Sequence, residues 1–117
     1  MIDLVFNVRI AKGGVRVLNL ISIKSSNACL AEIMQNLKTT EVLKKLRISD
    51  TDLRHPRVFE ALESSLTALL RLQCLDLSCT NLSMSQLAKL GAILSENMSI
   101  ENLNLSYNII SRASQQD

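Results

Sequence analysis

Aromatic side chains are nearly missing from this chain. They make up 3% of its 117 residues, with two Phe, one Tyr and no Trp, while apolar residues together reach 47%. Any core must therefore be aliphatic, mostly Leu and Ile, and the aromatic platforms on which single-stranded nucleic acid stacks are wanting. Histidine occurs once, as His55, and no motif gives it a partner for acid–base catalysis. Cysteine is scarce as well: Cys29, Cys74 and Cys79 are an odd set, which does not read as a disulfide framework. Cys74 and Cys79 have strand and turn positions between them and no His beside them, so they make a poor metal pair, and Cys29 reads as a core residue on a helix. No stretch approaches the roughly 18 uncharged apolar residues of a membrane span. The first ten residues carry Asp3 and Arg9 and lack the basic start and unbroken apolar run of a secretory signal. Phosphate loops, dinucleotide motifs and zinc spacings are absent too. These absences predict a protein with no enzymatic activity, cofactor, metal or membrane contact, in a reducing, cytoplasmic setting.

The net charge of +2 is too small to argue for nucleic acid. It is unevenly spread, however. Residues 38–57 hold Lys38, Lys44, Lys45, Arg47, Arg54 and Arg57 against Glu41, Asp50 and Asp52. This stretch reads as a solvated turn region.

What the chain does have is a phrase repeated with its spacing intact. It runs Leu43, Leu46, Ile48, Thr51, Leu53; then Leu72, Leu75, Leu77, Thr80, Leu82; then Ile100, Leu103, Leu105, Asn108, Ile110. A weaker copy starts at Val15, with Leu18 and Leu20 in place, so successive copies start 28, 29 and 28 residues apart. A fixed period of this size marks a solenoid, in which each unit shares its core with its neighbours. The first half of each unit alternates apolar and polar residues, the pattern of a strand with one face in and one out. The ninth residue, Thr51, Thr80 or Asn108, is small and polar, and is expected to turn inward and satisfy the backbone where the chain leaves the strand. Ile23 at that place in the first copy predicts a distorted turn. The second half is helical. Ser83 and Gln86 form a capping box ahead of Leu87, Leu90, Ile93 and Leu94. Pro56 suits the first turn of a helix burying Phe59, Leu62, Leu66, Leu69 and Leu70, and Asn27 is the expected cap of a helix carrying Leu30, Ile33, Met34 and Leu37.

Strands pack about 4.8 Å apart and helices roughly 8–10 Å, so such a stack curves with its sheet on the concave side. Residues 1–14 read as an N-terminal cap. Ile2, Leu4, Phe6, Val8 and Ile10 alternate with more polar neighbours, and Gly13-Gly14 offers a hairpin turn; the alternative is a boundary artefact. The repeats then run 15–42, 43–71 and 72–99, with a partial fourth at 100–110 and a polar tail at 111–117. The expectation is a single α/β domain of parallel concave sheet and convex helices.

These repeats resemble leucine-rich repeats, and the period with its convex helix is similar to the ribonuclease-inhibitor-like subclass. That resemblance covers residues 15–110. It implies a horseshoe-like solenoid and, because the subclass includes ribonuclease inhibitors, activators of Ran-type GTPases, tropomodulin-like actin cappers, innate-immune receptors and subunits of large assemblies, a protein partner of no specified kind. The predicted partner-binding residues are the outward strand positions Asn19, Lys45, Arg47, Asp76, Ser78, Asn102 and Asn104, with Tyr107 at the rim. Arg47, Asp76 and Asn104 fall in one column. Arg and Tyr are favoured interface anchors, although a solvated face with Arg47 and Asp76 paired at little net energy is the plainer alternative. The second function considered is a structural subunit that stacks or self-associates through its C-terminal end, with Leu103, Leu105, Ile109 and Ile110 as the association edge. Nucleic acid and small-molecule substrates are not expected.

Overall fold

The computed structural model describes residues 16–40, 42–97 and 99–108. Within them strands and helices alternate: β1 (Val17–Ile21), α1 (Asn27–Asn36), a 3-10 turn at Leu37–Thr39, β2 (Lys45–Ser49), α2 (Pro56–Ala68), β3 (Cys74–Asp76), α3 (Met84–Ser95) and β4 (Asn102–Asn104). The strands form one parallel sheet in the order β1-β2-β3-β4. Val17, Lys45, Cys74 and Asn102 stand in one row, and Asn19, Arg47, Asp76 and Asn104 in another. The expected N-terminal capping strand and hairpin, Ile109, Ile110 and the tail lie outside the described residues.

The alternation of Leu and Ile decides which strand face is buried. Leu20, Leu46, Ile48, Leu75 and Leu77 point into a core that they share with Ile33 and Met34 of α1, Val58, Phe59, Leu62 and Leu66 of α2, and Leu90 of α3. Leu103 departs from this pattern at 47% exposure, and Leu105, Leu87, Ile93 and Leu94 are only partly buried. Among the described residues β4 pairs on one side only, with β3, so its layer is covered from that side alone. Leu70 was expected in the core and is 74% exposed. Helix α2 stops at Ala68, and Leu69 closes it by donating its N–H to the Ser65 carbonyl. The chain then turns, keeping Leu69 and Leu72 inside and leaving Leu70 out.

Local chemistry sets the helix starts. Ser83 and Gln86 form the capping box. Helix α1 is capped by Ser26 rather than Asn27: its hydroxyl accepts the Cys29 N–H, and Asn27 is already helical. His55 caps α2 through a ring nitrogen that accepts the Arg57 N–H, ahead of Pro56. The sole histidine thus has a structural role at a helix start, where any short polar acceptor would serve.

Each strand ends in the same way. Ser22, Asp50, Cys79 and Tyr107 follow the strands with φ of 56°, 50°, 55° and 60°, none of them glycine, and Asn81 adds a second left-handed residue after β3. The residue after each of the first four is the ninth of the phrase, and it does turn inward. Thr51 Oγ1 donates to the Ser49 carbonyl and accepts the Ile23 N–H, so the apolar Ile23 borrows its polar partner from the following unit. Thr80 Oγ1 donates to the Leu77 carbonyl. Asn108 donates through Nδ2 to the Leu77 and Leu105 carbonyls and accepts the Leu82 N–H at Oδ1. Strands β3 and β4 stop at Asp76 and Asn104, whose side chains each accept the N–H two residues on, from Ser78 and Ser106, and so begin the turn.

Two expectations test this architecture. Leu75→Ala should lower the unfolding free energy by roughly 2–5 kcal/mol in denaturant titration; a loss far below that would place Leu75 outside the core. At exposed Cys79, Val should cost roughly 1–2 kcal/mol, because a β-branched side chain resists the left-handed region, whereas Gly should be close to neutral; equal stabilities would remove the strained exit.

Candidate protein-binding face

The outer face of the sheet carries the column expected from the sequence. Lys45 and Arg47 stand on β2, Asn19 on β1, Asp76 on β3, and Asn102 and Asn104 on β4. Together they line a shallow concavity of about 430 Å³ that crosses all four strands. The parallel register brings these side chains together, since residues in one row lie on adjacent strands about 4.8 Å apart.

At its centre Arg47 Nε is 3.5 Å from Asp76 Oδ2, with the side chains 52% and 27% exposed. A pair this open is screened by water and worth little as a stabiliser. Asp76 has a second task, because its Oδ1 holds the Ser78 N–H at 2.9 Å. Asn104 is used likewise, accepting from both the N–H and the hydroxyl of Ser106, and the Asn102 amide approaches Cys74 Sγ at 3.6 Å. The column therefore divides. Asp76 and Asn104 are partly spent on the turns that follow their strands, whereas Asn19 and Lys45 make no side-chain hydrogen bond among the described residues.

Ser78 does not belong to the face. It is 8% exposed, folded into the turn that Asp76 closes; counting on the alternation past Asp76 put it outside. Tyr107 is 81% exposed and occupies the left-handed exit after β4, so it stands at the rim as expected. Of the proposed association edge, Leu103 is exposed and Leu105 partly buried. The cysteines are all free, and among the described residues no group of three or more His, Cys, Asp or Glu could hold a metal. No helix of the described residues is long and apolar enough to cross a membrane.

A larger hollow of about 760 Å³ lies at the opposite rim, where the strands exit toward α1. Part of its polar lining is tied up between neighbouring turns. Asp52 Oδ1 accepts the Arg54 N–H and the Asn81 amide, and Asp50 accepts the Ser22 hydroxyl. These bonds fasten neighbouring turns. Nothing in the repeat spacing announces the hollow, which Asp50, Cys79 and Asn81, three of the left-handed residues, help to line.

No family model matches the chain, and no curated protein matches its sequence. Solved structures do. The leiomodin-1 actin-binding site 2 structure superposes with a TM-score of 0.77 at 16% identity, over 95% of this chain and 66% of that one. The tropomodulin C-terminal domain of Caenorhabditis elegans superposes with a TM-score of 0.80 at 12% identity, over 99% of this chain and 72% of that one. The chain thus spans about two thirds of the leiomodin chain that it matches. This corrects the expected kinship with ribonuclease-inhibitor-like repeats: the matching structures are tropomodulin and leiomodin domains, and the 28- and 29-residue spacing does not assign that subclass. At such identities the likeness is one of fold, an α/β arrangement of parallel strands and helices shared with these two domains.

Proposed function

We propose that this chain is a non-enzymatic protein-interaction domain that engages actin through the outer face of its sheet. The observation that carries this reading is the row Asn19, Arg47, Asp76, Asn104, set side by side by the parallel register on a fold like that of an actin-binding region of leiomodin-1. In this reading the units form a short leucine-rich-repeat-like solenoid and the row lies on its concave side. Arg47 is the anchor, because its guanidinium is half exposed and can exchange Asp76 for a carboxylate of the partner in a forked geometry. Lys45 and Asn19 supply further donors, and Asn102 and Tyr107 contact the partner toward β4.

A second reading has its own observation. Leu103 is 47% exposed beside the partly buried Leu105, Leu87, Ile93 and Leu94. An apolar layer next to an open strand edge suits stacking against more protein. In that reading the domain is a structural subunit, or associates with its own kind, through this edge.

Sedimentation with filamentous actin, and binding to monomeric actin, test the first reading. The chain should bind one form, and Arg47→Glu should weaken binding about tenfold without lowering the melting temperature. Intact binding by this variant, with loss on changing Leu103 to Glu, would favour the edge instead. Stability should divide the pair as the geometry does. Asp76→Ala should cost roughly 1–3 kcal/mol, since it orphans the Ser78 N–H, and Arg47→Ala about 0–1 kcal/mol. Equal costs in denaturant titration would mean that the ion pair, and not the turn, is what Asp76 holds.

A further inference from the structure

The outer face of the sheet changes character from strand to strand. On β1 it carries Val17, Asn19 and Ile21, none of them charged, with Val17 at 56% and Ile21 at 49% exposure. On β2 it carries Lys45 and Arg47, both exposed. Among the described residues Lys45 has no ion pair, and Arg47 pairs with Asp76 of β3. The register sets Val17 beside Lys45 and Asn19 beside Arg47, so an apolar strip and a cationic strip lie side by side about 4.8 Å apart. Neither strip serves the core, which is built from the opposite face by Leu20, Leu46 and Ile48.

An acidic partner is drawn to these cations and repelled by the Asp76 carboxylate on their β3 side. The favoured seat is therefore the seam of β1 and β2, where the neighbours of Lys45 and Arg47 are the uncharged Val17 and Asn19. Lys45 and Arg47 are two residues apart, about 6.6 Å at the rise of a strand. Carboxylates at i and i+4 of a helix lie on one face, about 6 Å apart along its axis. Val17 and Ile21 are four residues apart, about 13 Å, and apolar side chains seven apart on a helix come near this at about 10.5 Å. Spacing alone suits an extended segment as well, and backbone chemistry separates the two. The N–H and C=O groups of the strands engage one another in the plane of the sheet, so the face offers an extended segment few partners for its own. A helix arrives with its backbone already paired. Four strands span about 14 Å, enough for a helix roughly 10–12 Å across.

We infer that the seam of β1 and β2 seats an acidic amphipathic helix of a protein partner, its carboxylates at i and i+4 on Lys45 and Arg47 and its adjoining apolar edge on Val17 and Ile21. The inference rests on the reading of the sheet face as a protein-binding surface and adds the form of the segment bound. Lys45 contributes point charge, and the Arg47 fork takes a carboxylate with two bonds once it leaves Asp76. Asp76 keeps the Ser78 N–H, so releasing Arg47 does not open the turn. Nucleic acid fits less well. The described aromatic side chain that is exposed, Tyr107, stands beyond the exit end of β4, so no base can stack beside Lys45 and Arg47.

The test uses the full chain and two fluorescein-labelled, alanine-based peptides read by fluorescence anisotropy. Both carry glutamate at i and i+4 and leucine at i−4 and i+3, and the second has a proline between the glutamates, which breaks the helix. The helical peptide should bind saturably, and more weakly as salt rises to about 0.5 M; the proline peptide should bind about tenfold more weakly. Lys45→Glu should lose about tenfold in affinity for the helical peptide, while Arg57→Glu, near the start of α2, should change it less than about twofold. Val17→Thr with Ile21→Thr, which keeps the strand-forming branch at each position, should weaken binding about threefold. Circular dichroism should show the same melting temperature for these variants. If Lys45→Glu does not fold, Lys45→Gln should still weaken binding about threefold. The inference is overturned if the proline peptide binds as well as the helical one, if the Lys45 or the paired Thr variant keeps full affinity, or if a lysine counterpart of the peptide or a single-stranded oligonucleotide binds more tightly. Helical-peptide binding without actin binding retires the actin reading alone; actin binding that is lost on Arg47→Glu, with no binding of the helical peptide, retires this inference alone.

Discussion

A parallel strand of three to five residues cannot satisfy its own backbone, and each strand here depends on the next for it. The dependence extends beyond the ladder. At the strand starts one carbonyl of each unit receives two N–H groups from the following unit. At the exits a polar side chain of one unit serves the backbone of the one before, as Thr51 does for Ile23 and Asn108 for Leu77 and Leu82. Among the described residues no buried side-chain nitrogen or oxygen is left without a partner. Burial of the leucine layers supplies the driving force, but these shared bonds fix the register, and the register is what lines up the outer face.

The same requirement shapes the candidate face. A carboxylate or amide at the end of a short strand is drawn into closing the turn, so Asp76 and Asn104 serve the fold before any partner, whereas a cation in the equivalent place on β2 cannot accept an N–H and stays available. On β2, β3 and β4 the division between scaffold and recognition thus follows donor and acceptor chemistry at one position of the unit, while Asn19, an amide in the same row on β1, stays uncommitted.

Much of the fold was legible because it rests on two periodicities. The paired leucines of Leu46 with Ile48 and Leu75 with Leu77, the Ser83–Gln86 cap and the place of Pro56 each need only spacing and side-chain type. The row of Asn19, Arg47, Asp76 and Asn104 followed from the same spacing. What sequence could not give was the geometry between periodic pieces. Left-handed residues usually announce themselves as glycine, but here Ser, Asp, Cys and Tyr fill those places, so the exits, the rim hollow and the burial of Ser78 stayed hidden. Leu70 looked like core because helical counting runs on past Ala68, where backbone capping ends the helix. The choice between Ser26 and Asn27 as a cap turns on a single rotation of the chain that either residue could have made.

The aliphatic interior has an optical consequence. With no Trp and one Tyr, the chain carries almost no intrinsic chromophore, and melting of the leucine layers passes unseen in ultraviolet emission. Tyr107 is the exception, and it projects into solvent at the end of β4. Its fluorescence is therefore a reporter of one rim alone: quenched or shifted by whatever settles there, and silent about everything behind it.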